Sequence, residues 1–417
     1  MSALPLTLRA LLRRLLRNPA FTLVTLGTLA LGIGSTVAIF TVVHGVLLEP
    51  LPFPESDRLV HLGHVAVNMD IAEVPQSHGS YTLYRREGRH FEDVGLYTGT
   101  SATLTGDGEP ERVRAGEISE SFLPVLGVSP AIGREFTAEE VRPGGGDVAI
   151  LGHGLWQRRF GGDPGILGRT IRLSSRGYEV VGVMGEDFAF PSEDVELWIP
   201  HVIDPESLSR ISFSYWAVAR LTPGASVDAA QADLERLLPT LPEAFPGEMT
   251  SRMLEQAGLE PRVIPLRDRI VGDVRAALWI LLGTVGFVLL IACANVANLF
   301  LVRAEGRQRE LAVRTALGSN RRDRARHFLT ESVVLAAGAG ALGVGLAWAG
   351  VRGLLALSPG TLPRVSEIGL DPDVILFAAG VSLFAALLFG AVPILRLGGL
   401  DVTASLKEGG RGGSQGR

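Results

Sequence analysis

Four long apolar segments constrain this chain of 417 residues more than any other feature of its sequence. A helix needs about 20 consecutive apolar residues to cross the roughly 30 Å of hydrocarbon in a bilayer. Mean hydropathy is +0.28, and only 20% of the residues are charged. We therefore predict a membrane protein with four transmembrane α-helices at residues 21–48, 276–302, 332–351 and 374–395. The first segment is far longer than the apolar run of a cleaved signal peptide, so we expect it to be retained.

The distribution of charge predicts which side of the membrane each connecting segment occupies. Residues 1–20 carry four arginines and no acid, and the connection at residues 303–331 and the tail at residues 396–417 are also basic. Short basic segments stay in the cytoplasm, which predicts that both termini of the chain are cytoplasmic. Because the whole chain has a formal charge of −5, the excess of acid lies in residues 49–275. We place these residues outside the cytoplasm, together with the short loop at residues 352–373.

The large segment between the first and second spans is predicted to form an α+β extracytoplasmic domain, the ectodomain. Residues 148–151, 178–183 and 216–221 have the composition and the alternation of β-strands. Ser226 is placed to cap a helix over residues 227–238, whose apolar residues recur on one face. The predicted fold class is thus a membrane protein in which one transmembrane helix precedes a large α+β domain and three follow it.

No pattern in the ectodomain indicates a catalytic or metal site. The only cysteine, Cys293, lies in the second span, so the ectodomain can hold no disulfide. G-x-S-x-G and H-E-x-x-H patterns are absent from residues 49–275. Of the ectodomain histidines only the first two are neighbours in the sequence, and we interpret all of them as surface or packing residues. They are His61, His64, His78, His90, His153 and His201.

Neither ATP hydrolysis nor ion-driven transport is indicated by the residues of this chain. A P-loop needs a lysine after its glycines to reach the nucleotide phosphates, and the single lysine, Lys407, lies in the unrelated context SLKEGG. We expect no enzymatic activity, so that any ATPase is on another polypeptide. The spans carry no central acid or strong base of the kind that marks an ion pathway, and His44 is interpreted as interfacial. No cofactor, metal or nucleic-acid partner is expected.

The connection between the second and third spans is rich in arginine. From Asn295 to Ser332 the sequence has eight arginines and four carboxylates. Residues 307–317 are predicted to form a short helix along the membrane surface that ends at Gly318, before another helix rises into the third span. Composition alone leaves open that this basic helix binds only the anionic headgroups of membrane lipids.

The same connection carries a family resemblance. The run NVANLFLVRAEGRQRELAVRTALGSNRRDRARHFLTES resembles the signature region of FtsX/MacB-type ABC transporter permeases. In the ectodomain, SFLPVLGVSPAIGREFTAEE and VAILGHGLWQRRFGGDPGILGRTIRL resemble the MacB-like periplasmic core domain. The resemblance implies a multi-pass protein of the bacterial inner membrane, with residues 49–275 as the periplasmic core domain.

In that family the loop between the second and third spans holds a coupling helix that docks on a cytoplasmic ATPase. The positions that match it here are Arg309, Glu310, Leu311, Arg314, Leu317, Gly318 and Arg321. We expect Arg309 and Arg314 to pair with carboxylates of the ATPase subunit, while leucines fill an apolar groove. The resemblance also implies a second permease copy and, for an exporter, a periplasmic adaptor protein. The chain would then relay ATP hydrolysis to its ectodomain, for export or extraction of a substrate.

Other functions remain open at this point. One alternative is a mechanotransmitter that transports nothing and instead senses a ligand or activates an extracytoplasmic partner. Another is a receptor or anchor without an ATPase. The tail LDVTASLKEGGRGGSQGR resembles the junction segment of the acidobacterial duplicated orphan permeases. The chain is therefore expected to be either a single-unit permease or one half of a duplicated one.

Overall fold

Two units of the chain have separate cores in the computed structural model. One is Glu49–Asp273, and the other combines Met1–Leu48 with Val274–Arg417. Apolar side chains are buried within each unit. The residues that the structure describes are 18–106, 108–192, 194–209, 212–305, 321–357, 369 and 371–397.

Helices form both units, whereas the strands belong to the ectodomain unit alone among the described residues. The α-helices are α1 (Pro19–Val43), α2 (His78–Glu87), α3 (Phe122–Leu126), α4 (His153–Phe160), α5 (Val227–Leu237), α6 (Leu241–Ala244), α7 (Ser251–Ala257), α8 (Leu266–Glu305), α9 (Arg321–Leu357) and α10 (Pro372–Leu397). The β-strands are β1 (Leu59–Ala66), β2 (Ile71–Val74), β3 (Phe91–Thr105), β4 (Glu111–Ile118), β5 (Ile132–Gly133), β6 (Val148–Leu151), β7 (Thr170–Leu173), β8 (Arg176–Val183), β9 (Leu197–Pro200), β10 (Trp216–Leu221) and β11 (Leu259–Pro265).

Four helices of the described residues are long and apolar enough to cross a membrane. The spans are Pro19–Leu48, Val274–Arg303, Phe328–Gly353 and Pro372–Val392. The first consists of α1 and a π-helical turn, His44–Leu48, that continues it. α1 packs against both α9 and α10 and buries Leu29, Ile33 and Val37 between them. The prediction of four transmembrane helices is confirmed.

Two glycines allow close backbone contact between α1 and α9. A Cβ atom added to Gly34 of α1 would lie 2.9 Å from the carbonyl oxygen of Gly343 in α9. A Cβ added to Gly343 would in turn lie 3.0 Å from the backbone nitrogen of Gly34. Small residues allow such backbone contact between helices in a membrane, where packing rather than water exclusion drives association.

α8 is longer than the predicted second span, because it begins at Leu266 rather than at residue 276. Its first turns belong to the ectodomain unit, where Leu266 is buried in the core. Arg269 lies 5.0 Å from the ring centre of Trp216, and its Nε is 2.8 Å from Oε1 of Glu73. Hydropathy did not indicate these turns because charged residues interrupt the apolar run.

One mixed sheet of eleven strands organises the ectodomain. Its order is β11–β1–β10–β3–β4–β9–β6–β8–β5, with β2 beside β1 and with β7 beside β3 and β8. The pairs β4–β9 and β6–β8 are parallel, so the two strands within each pair end on the same side of the sheet, whereas β6 and β9 are antiparallel. β6 and β10 have the predicted bounds, and β8 begins at Arg176 rather than at residue 178.

α5 covers part of this sheet and forms as its sequence predicts. The Oγ of Ser226 accepts a hydrogen bond from the backbone N–H of Ala229 at 3.1 Å, which caps the first turn. Ala230, Leu234 and Leu237 are buried on one face and share a core cluster with strands β1, β3 and β10. The ectodomain is α+β, and the predicted fold class is confirmed.

Candidate functional site

The predicted coupling positions lie in the segment that connects α8 to α9. α8 ends at Glu305, and α9 begins at Arg321, the last of the predicted positions. From Arg321 the helix continues without a break into the third span, as expected. The remaining positions lie outside the described residues; they are Arg309, Glu310, Leu311, Arg314, Leu317 and Gly318.

An ion pair joins α8 and α9 close to this segment. The Nη1 of Arg303 donates a hydrogen bond to Oε1 of Glu331 at 2.6 Å, and the two side chains are only 13% and 4% exposed. The guanidinium carbon of Arg303 also lies 4.3 Å from the ring centre of Phe21 in α1. Three membrane helices therefore meet around one cation.

Aromatic rings surround this ion pair. The ring centres of Phe21 and Phe300 are 5.3 Å apart, and those of Phe300 and Phe389 in α10 are 5.5 Å apart. The Nε and Nη2 atoms of Arg303 are buried without a hydrogen-bond partner among the described residues. Within the described part of the chain, Glu331 is the group that balances the buried charge, and removing one member of such a pair typically costs roughly 3–5 kcal/mol.

The arrangement fixes the two ends of the connecting segment relative to each other. Arg303 and Glu331 are 28 residues apart, and their ion pair holds these positions of α8 and α9 together. The ion pair resists separation of α8 and α9 at this end of the two helices. Among the described residues, this site contains no group placed to act on a substrate chemically.

Arg303 and Glu331 were not among the predicted site residues. Arg303 ends the segment NVANLFLVR, and Glu331 lies in LTES, and both segments carried the family resemblance. Each residue stands where an apolar span gives way to charged sequence. Two opposite charges at the facing ends of successive spans are a signal that could have identified the pair.

His44 ties the other end of α1 to α10. Its Nδ1 is 3.0 Å from Oδ2 of Asp371, and its Nε2 is 3.6 Å from Oδ2 of Asp373. The Oδ1 of Asp371 also accepts from the backbone N–H of Val374 at 2.8 Å, which caps the first turn of α10. Carboxylates at the start of a helix complement its dipole. This contact therefore stabilises the start of α10 and joins it to the end of α1.

His61 and His64 do not form a common site. Side chains alternate along a strand, so these two residues lie on opposite faces of β1. The Nδ1–H of His64 donates to the carbonyl oxygen of Pro75 at 3.1 Å, and its Nε2 accepts from the hydroxyl of Tyr84 at 2.9 Å. Burial lowers the pKa of His64 to about 4, so this histidine is a neutral packing residue.

Two family models match the chain. A model of the MacB-like periplasmic core domain matches residues 22–237, and a model of the FtsX-like permease C-terminal region matches residues 282–402. The chain therefore belongs to the family of FtsX/MacB-type permeases. The first model covers α1 and most of the ectodomain, and the second covers most of the three later membrane helices and the segment with the predicted coupling positions.

Curated relatives extend well beyond this chain. The macrolide export ATP-binding/permease protein MacB of Sodalis glossinidius (strain morsitans) is 28% identical over 288 residues, which cover 67% of this chain and 41% of that protein. The pyoverdine export ATP-binding/permease protein PvdT of Pseudomonas syringae pv. tomato (strain ATCC BAA-871 / DC3000) is 24% identical over 294 residues, 69% of this chain and 42% of that protein. The chain thus matches about two fifths of the length of these relatives.

Solved structures with a similar ectodomain were also found. The periplasmic region of MacB from Actinobacillus actinomycetemcomitans matches with a TM-score of 0.37 and 16% identity, covering 52% of this chain and 96% of that one. The extracellular domain of the ABC-type transporter YknZ from Gram-positive bacteria matches with a TM-score of 0.35 and 16% identity, covering 49% of this chain and 99% of that one.

Proposed function

We propose that this protein is the permease subunit of an ABC transporter of a bacterial inner membrane. An ATPase on another polypeptide would hydrolyse ATP, and this chain would relay the resulting movement to its ectodomain for export or extraction of a substrate. The observation that carries the proposal is the buried Arg303–Glu331 ion pair, which ties together the two helices on either side of the arginine-rich connection.

The docking positions follow from the family resemblance. Arg309 and Arg314 would pair with carboxylates of the ATPase, with Glu310 and Arg321 at the edge of the contact. Leu311 and Leu317 would fill an apolar groove, and Gly318 would end the docking helix. The related MacB and PvdT proteins are ATP-binding/permease proteins, which supports an ATPase partner for this permease.

Orientation and assembly are part of the same proposal. The basic connection and both termini would be cytoplasmic, because short basic segments are retained there. The ectodomain would lie in the periplasm and work on its substrate, or with an adaptor protein, outside the membrane. A second permease copy would complete the assembly, and membrane lipid would surround the large apolar side chains that α8 exposes, such as Ile280 and Phe287.

Affinity purification from native membranes tests the proposal. The tagged wild-type protein and an Arg314→Glu variant would be purified side by side, and the proteins that accompany them identified by mass spectrometry. We expect an ABC ATPase with the wild type and at least a tenfold loss of it with the variant, because charge reversal at a docking contact turns attraction into repulsion.

The matched control is Arg172→Glu, which makes the same change at an exposed position of strand β7 in the ectodomain. This variant should retain the ATPase at the wild-type level. Recovery of no ABC ATPase with any of the three proteins, or of equal amounts with all three, would refute the docking role of the connection.

A further inference from the structure

A cavity of about 470 Å³ lies between α2 and two loops of the ectodomain. Its volume is within the range of about 300–1,000 Å³ that is usual for sites of small ligands. The walls come from three separate parts of the sequence, and the residues that line them are Thr82, Arg142, Pro143, Ile203 and Leu208. One cation and one hydroxyl group thus border a space that is otherwise lined by apolar side chains.

One wall of the cavity is formed by α2 and the 3-10 turn Pro205–Ser209, which pack closely together. A Cβ atom added to Gly79 of α2 would lie 2.5 Å from the carbonyl oxygen of Leu208, so glycine allows this approach. The hydroxyl of Ser207 and Nδ1 of His78 are also joined by a hydrogen bond of 2.6 Å. This wall is therefore held in place by the protein itself.

Arg142 belongs to a loop whose backbone is fixed by hydrogen bonds. Its N–H donates to the carbonyl oxygen of Glu139 at 3.2 Å, and its carbonyl oxygen accepts from the N–H of Gly145 at 2.8 Å. The N–H of Ile203 donates to the carbonyl oxygen of Val141 at 3.3 Å, which ties this loop to the segment after β9. The fold thus determines where the backbone of Arg142 lies.

The guanidinium group of Arg142 is available to a ligand. Its side chain is exposed, and no residue in the described part of the chain forms an ion pair with it. Arg134, by comparison, binds Glu140 at 2.7 Å. An unpaired arginine at a cavity can bind a carboxylate through two parallel N–H groups, and the hydroxyl of Thr82 can donate a further hydrogen bond.

The charges around the cavity favour an anion with a single negative charge. Glu139, Asp204 and Glu206 are exposed, and each lies within three residues of a lining residue in the sequence. Like charges repel, so these carboxylates oppose a second negative charge on the ligand. A phosphate group, which carries up to two negative charges near neutral pH, therefore suits the cavity less well than a carboxylate.

We propose that this cavity binds a carboxylate that carries an apolar group, such as the carboxyl end of a peptide whose last residue is leucine. The carboxylate pairs with Arg142 and accepts a hydrogen bond from the hydroxyl of Thr82. The apolar group packs against Ile203 and Leu208, which removes it from water. This inference goes beyond the proposed function, because all the residues concerned belong to the ectodomain and binding needs no ATPase.

Binding of a labelled peptide to the full-length protein in lipid nanodiscs tests the site. The probe is the peptide Gly-Ser-Ala-Leu-Leu with an uncharged dye at its amino end, used once with a free carboxyl end and once with a carboxyl-terminal amide. Fluorescence anisotropy measures both affinities. We expect the free acid to bind about tenfold more tightly than the amide, because a hydrogen bond to a charged group contributes roughly that much.

Two variants separate the contributions of charge and apolar contact. Arg142→Gln should weaken binding of the acid about tenfold and leave the amide unchanged, because only the acid pairs with the cation. The side chain of Arg142 is exposed, so this replacement should leave the fold intact. Leu208→Ser should weaken both peptides alike, since it removes apolar contact and keeps the cation.

Arg172→Gln is the matched control, because it removes an exposed arginine of β7 that does not line the cavity. It should bind both peptides as the wild type does, and so should Arg314→Glu, whose change lies in the connection to the ATPase. Absence of saturable binding to the wild type, equal affinity of the wild type for acid and amide, or a preference for the acid that persists in Arg142→Gln would overturn the proposal. Normal peptide binding by a protein that recovers no ATPase would refute the coupling role alone and support this site.

Discussion

At the scale of single residues, buried histidines make the ectodomain sensitive to acid. Burial lowers the pKa of His61 to about 3 and that of His64 to about 4. The unfolded chain takes up protons on these residues below about pH 6.5, whereas the folded chain resists protonation until the pH approaches the lowered values. The free energy of unfolding therefore falls as the pH falls from 6.5, because the unfolded state binds more protons there.

Replacement of His64 by glutamine should weaken this dependence on pH. One histidine that stays neutral in the folded state contributes at most about 1.4 kcal/mol per pH unit. Between pH 6.5 and pH 5.0 the His64→Gln variant should consequently lose about 1.6 kcal/mol less stability than the wild type, because an unfolded histidine is already half protonated at pH 6.5. The measurement is urea unfolding of the detergent-solubilised protein, followed by tryptophan fluorescence in the presence of a chelator.

The His153→Gln variant serves as the control and should follow the wild-type pH dependence. Equal losses of stability in the wild type and His64→Gln would contradict the assignment of His64 as neutral in the folded protein.

The ion pair of Arg303 and Glu331 leads to a prediction about unpaired charge. Glu331→Gln leaves the guanidinium buried without its counter-ion, so we expect a loss of roughly 3–5 kcal/mol and a clearly lower melting temperature. The double variant Arg303→Met/Glu331→Leu removes both charges and should recover most of that loss, since apolar side chains suit the surrounding phenylalanine rings. Thermal melts in detergent would measure both.

Arg352→Met provides the comparison for this pair. Arg352 is an exposed arginine of α9 that lies 4.3 Å from the ring centre of Trp348, and its loss should shift the melting temperature little. If the double variant is no more stable than Glu331→Gln, the unpaired charge is not the cause of the loss, and the ion pair itself stabilises the protein.

At the scale of elements, the contact between α1 and α9 depends on two glycines. Because a Cβ on Gly343 would lie 3.0 Å from the backbone nitrogen of Gly34 and 3.2 Å from the carbonyl oxygen of Ala30, Gly343→Ala should force the helices apart. We expect a loss of about 1–3 kcal/mol, typical of overpacking. Thermal melting of the solubilised protein measures it.

Gly345→Ala is the matched control on the same helix. A Cβ at Gly345 meets nothing within 4 Å, and alanine favours a helix over glycine by about 1 kcal/mol. This variant should be as stable as the wild type or more so. If both alanine variants melt alike, close backbone contact does not stabilise the pair of helices.

The elements differ in how well their sequences predicted them. β6, β10 and the cap of α5 were predictable because alternation, glycine-rich turns and Ser226 are local signals. The extra turns at the start of α8 were not, because they are stabilised by the core around Leu266 rather than by their own hydropathy. A boundary that depends on tertiary packing is beyond a local pattern.

At the scale of the whole molecule, the sequence predicted the arrangement of spans and ectodomain but not which distant side chains meet. Hydropathy and charge are sums over long segments, so four spans and an acidic domain emerge from them directly. The contact between Glu117 and His201 at 3.0 Å depends on the order of strands in the sheet, because the parallel pairing of β4 with β9 brings the end of β4 beside the residue that follows β9. Strand order cannot be read from periodicity.

The membrane orientation is testable because the chain has a single cysteine, Cys293, which is buried. In a Cys293→Ser background, Ser101→Cys would place a thiol at an exposed position of β3, and Ser319→Cys would place one in the basic connection. In spheroplasts, where the periplasmic face is open to solution, a membrane-impermeant maleimide should label the first directly and the second only after the membrane is permeabilised.

The Cys293→Ser protein without an added thiol gives the background of labelling. The opposite pattern, with Ser319→Cys labelled first, would mean that the protein is inserted the other way round.

The ion pair between Arg303 and Glu331 has a consequence for how such permeases could diversify. Because the pair joins α8 directly to α9, it holds the two helices together independently of the sequence of the connection. Substitutions, and even changes of length, between residues 306 and 320 would then leave the membrane helices in place. We expect that this stretch can be exchanged for that of a relative. The exchanged permease would engage a different ATPase, while its spans and ectodomain stay unchanged.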